Sequence, residues 1–150
     1  MSRMFNFIRR TWNPVVGCLH NCSYCWARRQ AKRLKRRCEL CYRFVPHLHL
    51  ERLKPFKPRK KTIIFVVDMG DLFCWAIPDE WIEAVLEVTR KSNNNAIFFF
   101  LTKNPRRYHD FIDLFPRNAI LGVTIESNTC YNISNAPCPY ERYIAMRNLD

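Results

Sequence analysis

Three short apolar runs limit what this chain can fold into: "TIIFVV" (62–67), "AIFFFL" (96–101) and "AILGVTI" (119–125). Each is apolar at consecutive positions and rich in β-branched or aromatic residues, which suits a strand covered on both faces. Helical patterns separate them. Trp81, Ile82, Val85, Leu86 and Val88 form an apolar stripe with Glu80, Glu83 and Glu87 off it, behind a start signal at Pro78 and Asp79. Asn104 as N-cap and Pro105 at the first helical position open another helix, where Tyr108, Phe111, Ile112 and Phe115 recur before Pro116 stops it. A further helix is expected near Pro139. Two-sided strands alternating with helices predict right-handed βαβ units on a parallel sheet, an α/β fold. The segment "TWNPVVG" (11–17) adds a short first strand, for about four βα units. A closed eight-unit barrel takes about 250 residues. The 150 residues here allow an open sheet or a partial (β/α) barrel, as a single domain spanning 1–150. Within it, residues 38–61 read as a basic connector containing cysteine and proline, with no sustained period. In such folds ligands sit at the carboxyl ends of the strands. That rule selects the loop after the first strand, "DMGD", "TKNP" and "ES".

The first of these loops is "GCLHNCSYCW", with Cys18, Cys22 and Cys25 at spacings of x3 and x2. Eight cysteines occur in all. The N-terminus is too short and interrupted for a signal peptide, and no apolar run approaches the ~20 residues that span a bilayer. A cytoplasmic protein is therefore expected, away from membranes, with reduced thiols acting as metal or cluster ligands rather than disulfides. Two groupings compete. Cys22, Cys25, Cys38 and Cys41 spell C-x2-C-x12-C-x2-C, near the spacing of a structural zinc site. That grouping leaves Cys18 unused and requires the segment between the pairs, a continuous basic helix over about 27–37, to fold back. Cys18, Cys22 and Cys25 alone instead suit a cubane with one iron open to an outside ligand. His47 and His49 are possible ligands beside Cys38 and Cys41, or exposed connector residues. Cys74, Cys130 and Cys138 have no partner pattern and read as small apolar residues.

Charge is divided unevenly along the chain. Residues 1–61 hold seventeen lysines and arginines against two acids, Glu39 and Glu51, whereas 62–150 hold eight against eleven. A basic third of this kind suits a polyanionic partner such as nucleic acid, and "ARRQAKRLKRR" equally suits a solvated helix face.

"GCLHNCSYCWA" resembles the C-x3-C-x-aromatic-C signature of radical S-adenosylmethionine (SAM) enzymes. "TWNPVVGC", "FVPHLHLERL", "MGDLF", "PDEWIEAVLEV", "FLTKNPRRY" and "ISNAPCPYERYIAM" are similar, from Thr11 onward, to an uncharacterised, phage-associated radical-SAM-like family. Members of that family usually continue past this point, so the chain resembles one lacking the last barrel units. The resemblance implies that Cys18, Cys22 and Cys25 ligate a 4Fe-4S cluster and that Tyr24 meets the adenine of SAM. It implies that Met69, Gly70 and Asp71 stand where related enzymes have a Gly-Gly-Glu-like stretch facing the SAM amino group. Lys103, after Thr102, would meet the carboxylate and Glu126 the ribose. The implied activity is reductive cleavage of SAM, with an electron donor as partner, to a 5′-deoxyadenosyl radical that abstracts hydrogen from an unknown substrate. The alternative is a zinc-stabilised nucleic-acid-binding protein without catalysis.

Overall fold

The computed structural model describes residues 5–149; residues 1–4 and 150, the outermost positions of the expected domain, lie outside the described residues. Four parallel strands form the main sheet: β1 (Arg10–Trp12), β4 (Thr62–Val66), β5 (Ala96–Thr102) and β6 (Ala119–Val123), in the spatial order β1-β4-β5-β6. A separate two-stranded antiparallel ladder pairs β2 (Val15–Val16) with β3 (His47–Leu48). The helices are α1 (Trp26–Ala31), α2 (Glu39–Arg43), α3 (Asp79–Arg90), α4 (Arg106–Asp110) and α5 (Pro139–Arg147). No helix among the described residues is long and apolar enough to cross a membrane.

The two-sided strands sort their side chains by parity. Ile64, Val66, Phe98 and Phe100 point into the larger core, with Ile82, Val85 and Leu86 of α3, Tyr108 of α4 and Phe111 after it; Met146 of α5 packs on its edge. Ile63, Phe65, Phe99 and Leu101 face the other way, toward Phe5 and Ile8. The helices that follow the strands thus contribute to one face, and the strand order never reverses. A doubly wound sheet, by contrast, has helices on both faces and a reversal of strand order.

Several expected elements differ in their limits. The first strand breaks at Asn13–Pro14, where β1 ends and the chain leaves for the small ladder; Pro14 has no N–H to donate to a continuing strand. The expected helix over about 27–37 stops at Ala31, passes through a 3₁₀ turn at Lys32–Leu34 and then unwinds. Only Ala27 and Ala31 of that helix are buried, and it has no acid in its first turn. Basic residues would stack on each other one turn apart if it continued, so neither packing nor charge favours extension. Pro105 takes the N-cap position that Asn104 was expected to fill, and α4 gives way to a 3₁₀ turn over Ile112–Leu114. The connector contains more order than its composition suggests, since α2 and β3 both lie within it.

Candidate metal centre and cofactor cavity

Every sheet strand delivers its carboxyl end to one side of the molecule, and there a cavity of about 290 Å³ opens. Cys18, Cys22, Tyr24 and Cys25 border it from the loop after β2. Val67, Asp68, Gly70 and Asp71 border it from the end of β4, Thr102 and Lys103 from the end of β5, and Thr124 from the end of β6. Phe5, Phe65 and Leu101 supply apolar lining. The cavity therefore opens on the sheet face opposite α3.

Backbone contacts seat the start of the loop on the end of β4. Gly17 N donates to Met69 O at 3.0 Å, and Gly17 and Gly70 form an isolated parallel bridge. Gly17 has φ +97°, and a Cβ there would stand 2.5 Å from the carbonyl carbon and oxygen of Val45. A Cβ on Gly70 would stand 2.6 Å from Gly17 O. Glycine is required at Gly17 by both its dihedral and its space.

The three motif thiols differ in setting. Cys25 Sγ caps α1 by accepting from Arg28 N at 3.4 Å, and Cys18 Sγ accepts from His20 N at the same distance. Each of these two sulfurs is thus anchored by a backbone N–H close by in sequence. Among the described residues two groups of donor atoms lie within 4.8 Å of one another: Cys38, Cys41, His47 and His49, and Cys18, His20 and Cys74. The motif trio is not such a group. A single ion needs its donors that close, whereas a cubane spreads its thiolates over separate irons, so three thiols bordering one cavity fit a cluster better than a mononuclear ion. In the second group, the neighbouring Cys74 and burial push the Cys18 thiol up, while Cys18 and His20 hold Cys74 down. His20 is buried. Burial works against its cationic form, but Asp71 at 3.0 Å outweighs it and raises the imidazole to about 9. A protonated imidazole cannot ligate a metal. Its Nδ1 is buried with no hydrogen-bond partner.

Asp71 is tied into the protein by its own hydrogen bonds. It is buried, and its Oδ1 accepts from Phe73 N (3.0 Å) and Thr102 Oγ1 (2.7 Å). Oδ2 accepts from Lys103 N (2.8 Å) and His20 Nε2 (3.0 Å). Burial opposes its ionisation, yet these donors keep the carboxyl below its usual range. A carboxylate offers about four lone-pair sites, and all are engaged here, so Asp71 ties the ends of β4 and β5 together rather than offering a vacant acceptor.

Three other expected residues meet at the rim. Tyr24 Oη donates to Glu126 Oε1, and Lys103 Nζ donates to Tyr24 Oη at 2.8 Å and pairs with Glu126. Burial pushes the Glu126 carboxyl up, but the bonds from Lys103 and Tyr24 prevail and bring it down to about 2. Burial and the bond to Glu126 push the Tyr24 phenol up. Arg142 of α5, itself buried, donates to Glu126 Oε2 at 2.6 Å and to Thr124 O at 3.0 Å.

A family model described as "Protein of unknown function (DUF5131)" matches residues 3–138. This chain is a member of DUF5131. No curated protein and no solved structure matches it. In this DUF5131 protein, sequence reasoning missed His20, Cys74 and Arg142. The nearness of His20 to Cys18 was the available signal for the first; Cys74 and Arg142 reach the site only through folding. Cys130 and Cys138, expected as unpaired small residues, form a disulfide with Cα atoms 5.4 Å apart in the segment between β6 and α5. Their eight-residue separation carries no pattern that marks them as a pair. The proposed grouping of Cys22 and Cys25 with Cys38 and Cys41 is not assembled either, because Cys38 and Cys41 converge with His47 and His49.

Proposed function

We propose that this DUF5131 protein is an iron–sulfur protein of the radical SAM type, built on a partial (β/α) barrel. The observation that carries the reading is convergence. Residues 18–25, 70–71 and 102–103, far apart in sequence, border one cavity at the ends of parallel strands, and Glu126 joins its rim through Tyr24 and Lys103. Cys18, Cys22 and Cys25 are the thiols that would hold a 4Fe-4S cluster there. When bound, cluster and SAM supply one-electron cleavage of the sulfonium and a 5′-deoxyadenosyl radical for hydrogen abstraction.

The chain's own residues would do the rest. Gly70, with no side chain, lets a ligand approach the β4 end closely, and Asp71 holds that end against β5. Lys103 offers a cation for a carboxylate, and Glu126 offers acceptors for hydroxyls. Phe5, Phe65 and Leu101 would keep water from the floor. The exposed basic residues Arg33, Arg36 and Arg37 support a polyanionic substrate, nucleic acid being the class proposed.

Anaerobic reconstitution followed by iron and sulfide analysis tests this. The expected content is about four irons per chain, abolished by Cys22→Ala or Cys25→Ala and retained in Cys74→Ala. Loss of iron in Cys74→Ala with retention in Cys22→Ala would place metal on the Cys18–His20–Cys74 group and sink the reading.

A further inference from the structure

Beyond the cavity, the connector closes on itself around four soft donors. Cys38 caps α2, its Sγ accepting from Cys41 N at 3.4 Å. The helix ends at Phe44, whose left-handed φ of 58° turns the chain back so that β3 runs antiparallel to β2 with His47 opposite Val16. This reversal brings His47 Nε2 to 3.5 Å from Cys38 Sγ and 3.3 Å from Cys41 Sγ. His49 Nε2 lies 3.2 Å from Cys41 Sγ and 2.9 Å from His47 Nε2.

The proton positions are fixed by the outer partners. His47 Nδ1 lies 2.8 Å from Val45 O, and a carbonyl oxygen only accepts, so Nδ1 carries the proton. His49 Nδ1 likewise donates to the Glu51 carboxylate at 2.9 Å. With Nδ1 of each ring committed to an acceptor, the two Nε2 atoms stand 2.9 Å apart beside two sulfurs. All four donor atoms lie within 4.8 Å of one another, the closeness that a single ion requires of its ligands. A carbonyl and a carboxylate behind the two rings are also the usual orienting partners of metal-bound histidines.

We infer that Cys38, Cys41, His47 and His49 hold a structural zinc ion. Bond lengths of ~2.3 Å to sulfur and ~2.0–2.1 Å to nitrogen give tetrahedral edges of about 3.3–3.8 Å. The observed separations of 2.9–3.5 Å lie at or just inside these edges. Two thiolates and two imidazoles suit zinc among the divalent ions. Four protein ligands leave no open position, so the ion is structural. Its work is to lock α2 and β3 beneath the cysteine loop: Val45, between the ligands, is the residue whose backbone meets Gly17, next to Cys18. The inference does not depend on the iron–sulfur reading.

The test uses the variant Cys18→Ala/Cys22→Ala/Cys25→Ala, which removes the motif thiols, so that any bound metal reports on the second site. Metal analysis by mass spectrometry should find about one zinc per chain, and X-ray absorption should show two sulfurs at ~2.3 Å and two nitrogens at ~2.0–2.1 Å. Adding His47→Ala and His49→Ala should remove stoichiometric zinc. Because that variant can fail to fold, the triple variant is also stripped with a chelator and titrated with Co2+, which should give the visible bands of a tetrahedral sulfur–nitrogen site. A triple variant without zinc, a four-sulfur shell, zinc retained after both histidines are replaced, or absence of the cobalt bands would each overturn the assignment.

Discussion

Glu126 shows how much a single rim residue can be made to do. Its carboxylate takes Tyr24 and Lys103 on one oxygen and Arg142 on the other, joining the cysteine loop, the β5 end and α5. Since its pKa is depressed to about 2 in the fold, the anion's contribution to stability is present above the unfolded value of 4.5 and is lost as pH falls toward 2. The wild-type melting temperature should therefore drop more steeply across that acid window than that of Glu126→Gln, which has no such proton to take up. Parallel slopes for the two proteins in thermal scans would show that the rim network stores no such stability. Asp71 illustrates the limit of reading roles from position. Its place after a strand was legible, whereas its hydrogen-bond partners were not, because four donors from three segments reach it only once the chain has folded.

At the level of elements, the decisive junction is the backbone bridge between Gly17 and Gly70, which seats the cysteine loop on the end of β4. Gly17→Ala must relieve both a positive φ and a clash with the Val45 backbone. A strained non-glycine residue in such a position costs of order 1–3 kcal/mol before the clash is added. Chemical denaturation should show a loss at or above that range; a loss well below it would mean that the loop can move off Val45. The strands and α3 were legible because two-sided apolar runs and a 3.6-residue stripe are strong local signals. The small ladder was not, since β2 and β3 hold two residues each and their pairing is set by the turn at Phe44. The grouping of Cys38 and Cys41 with His47 and His49 was legible as one alternative among others for the same reason. C-x2-C announces itself, but which partner completes it depends on how the chain returns, and here it returns with His47 and His49. The basic helix was overread, because helix-forming composition says nothing about the missing apolar face.

For the whole molecule, charge and cavity lie on the same end of the chain's logic. The basic third surrounds the residues that build the cysteine loop, while the acidic excess belongs to the later βα units. If that third binds nucleic acid, affinity for a short duplex should fall steeply with salt, and replacing Arg33, Arg36 and Arg37 with Gln should flatten the slope, each lost phosphate contact removing about one counterion. Binding absent even at low salt would leave those arginines as a solvated surface. The proposed cluster on Cys18, Cys22 and Cys25 would leave one iron free for SAM in the cavity. Electron paramagnetic resonance of the anaerobically reconstituted, reduced protein tests it most directly. The expected spectrum is that of a reduced 4Fe-4S cluster that changes shape when SAM is added and is absent from Cys22→Ala. A cluster signal that ignores SAM, or one that survives loss of Cys22, would contradict it.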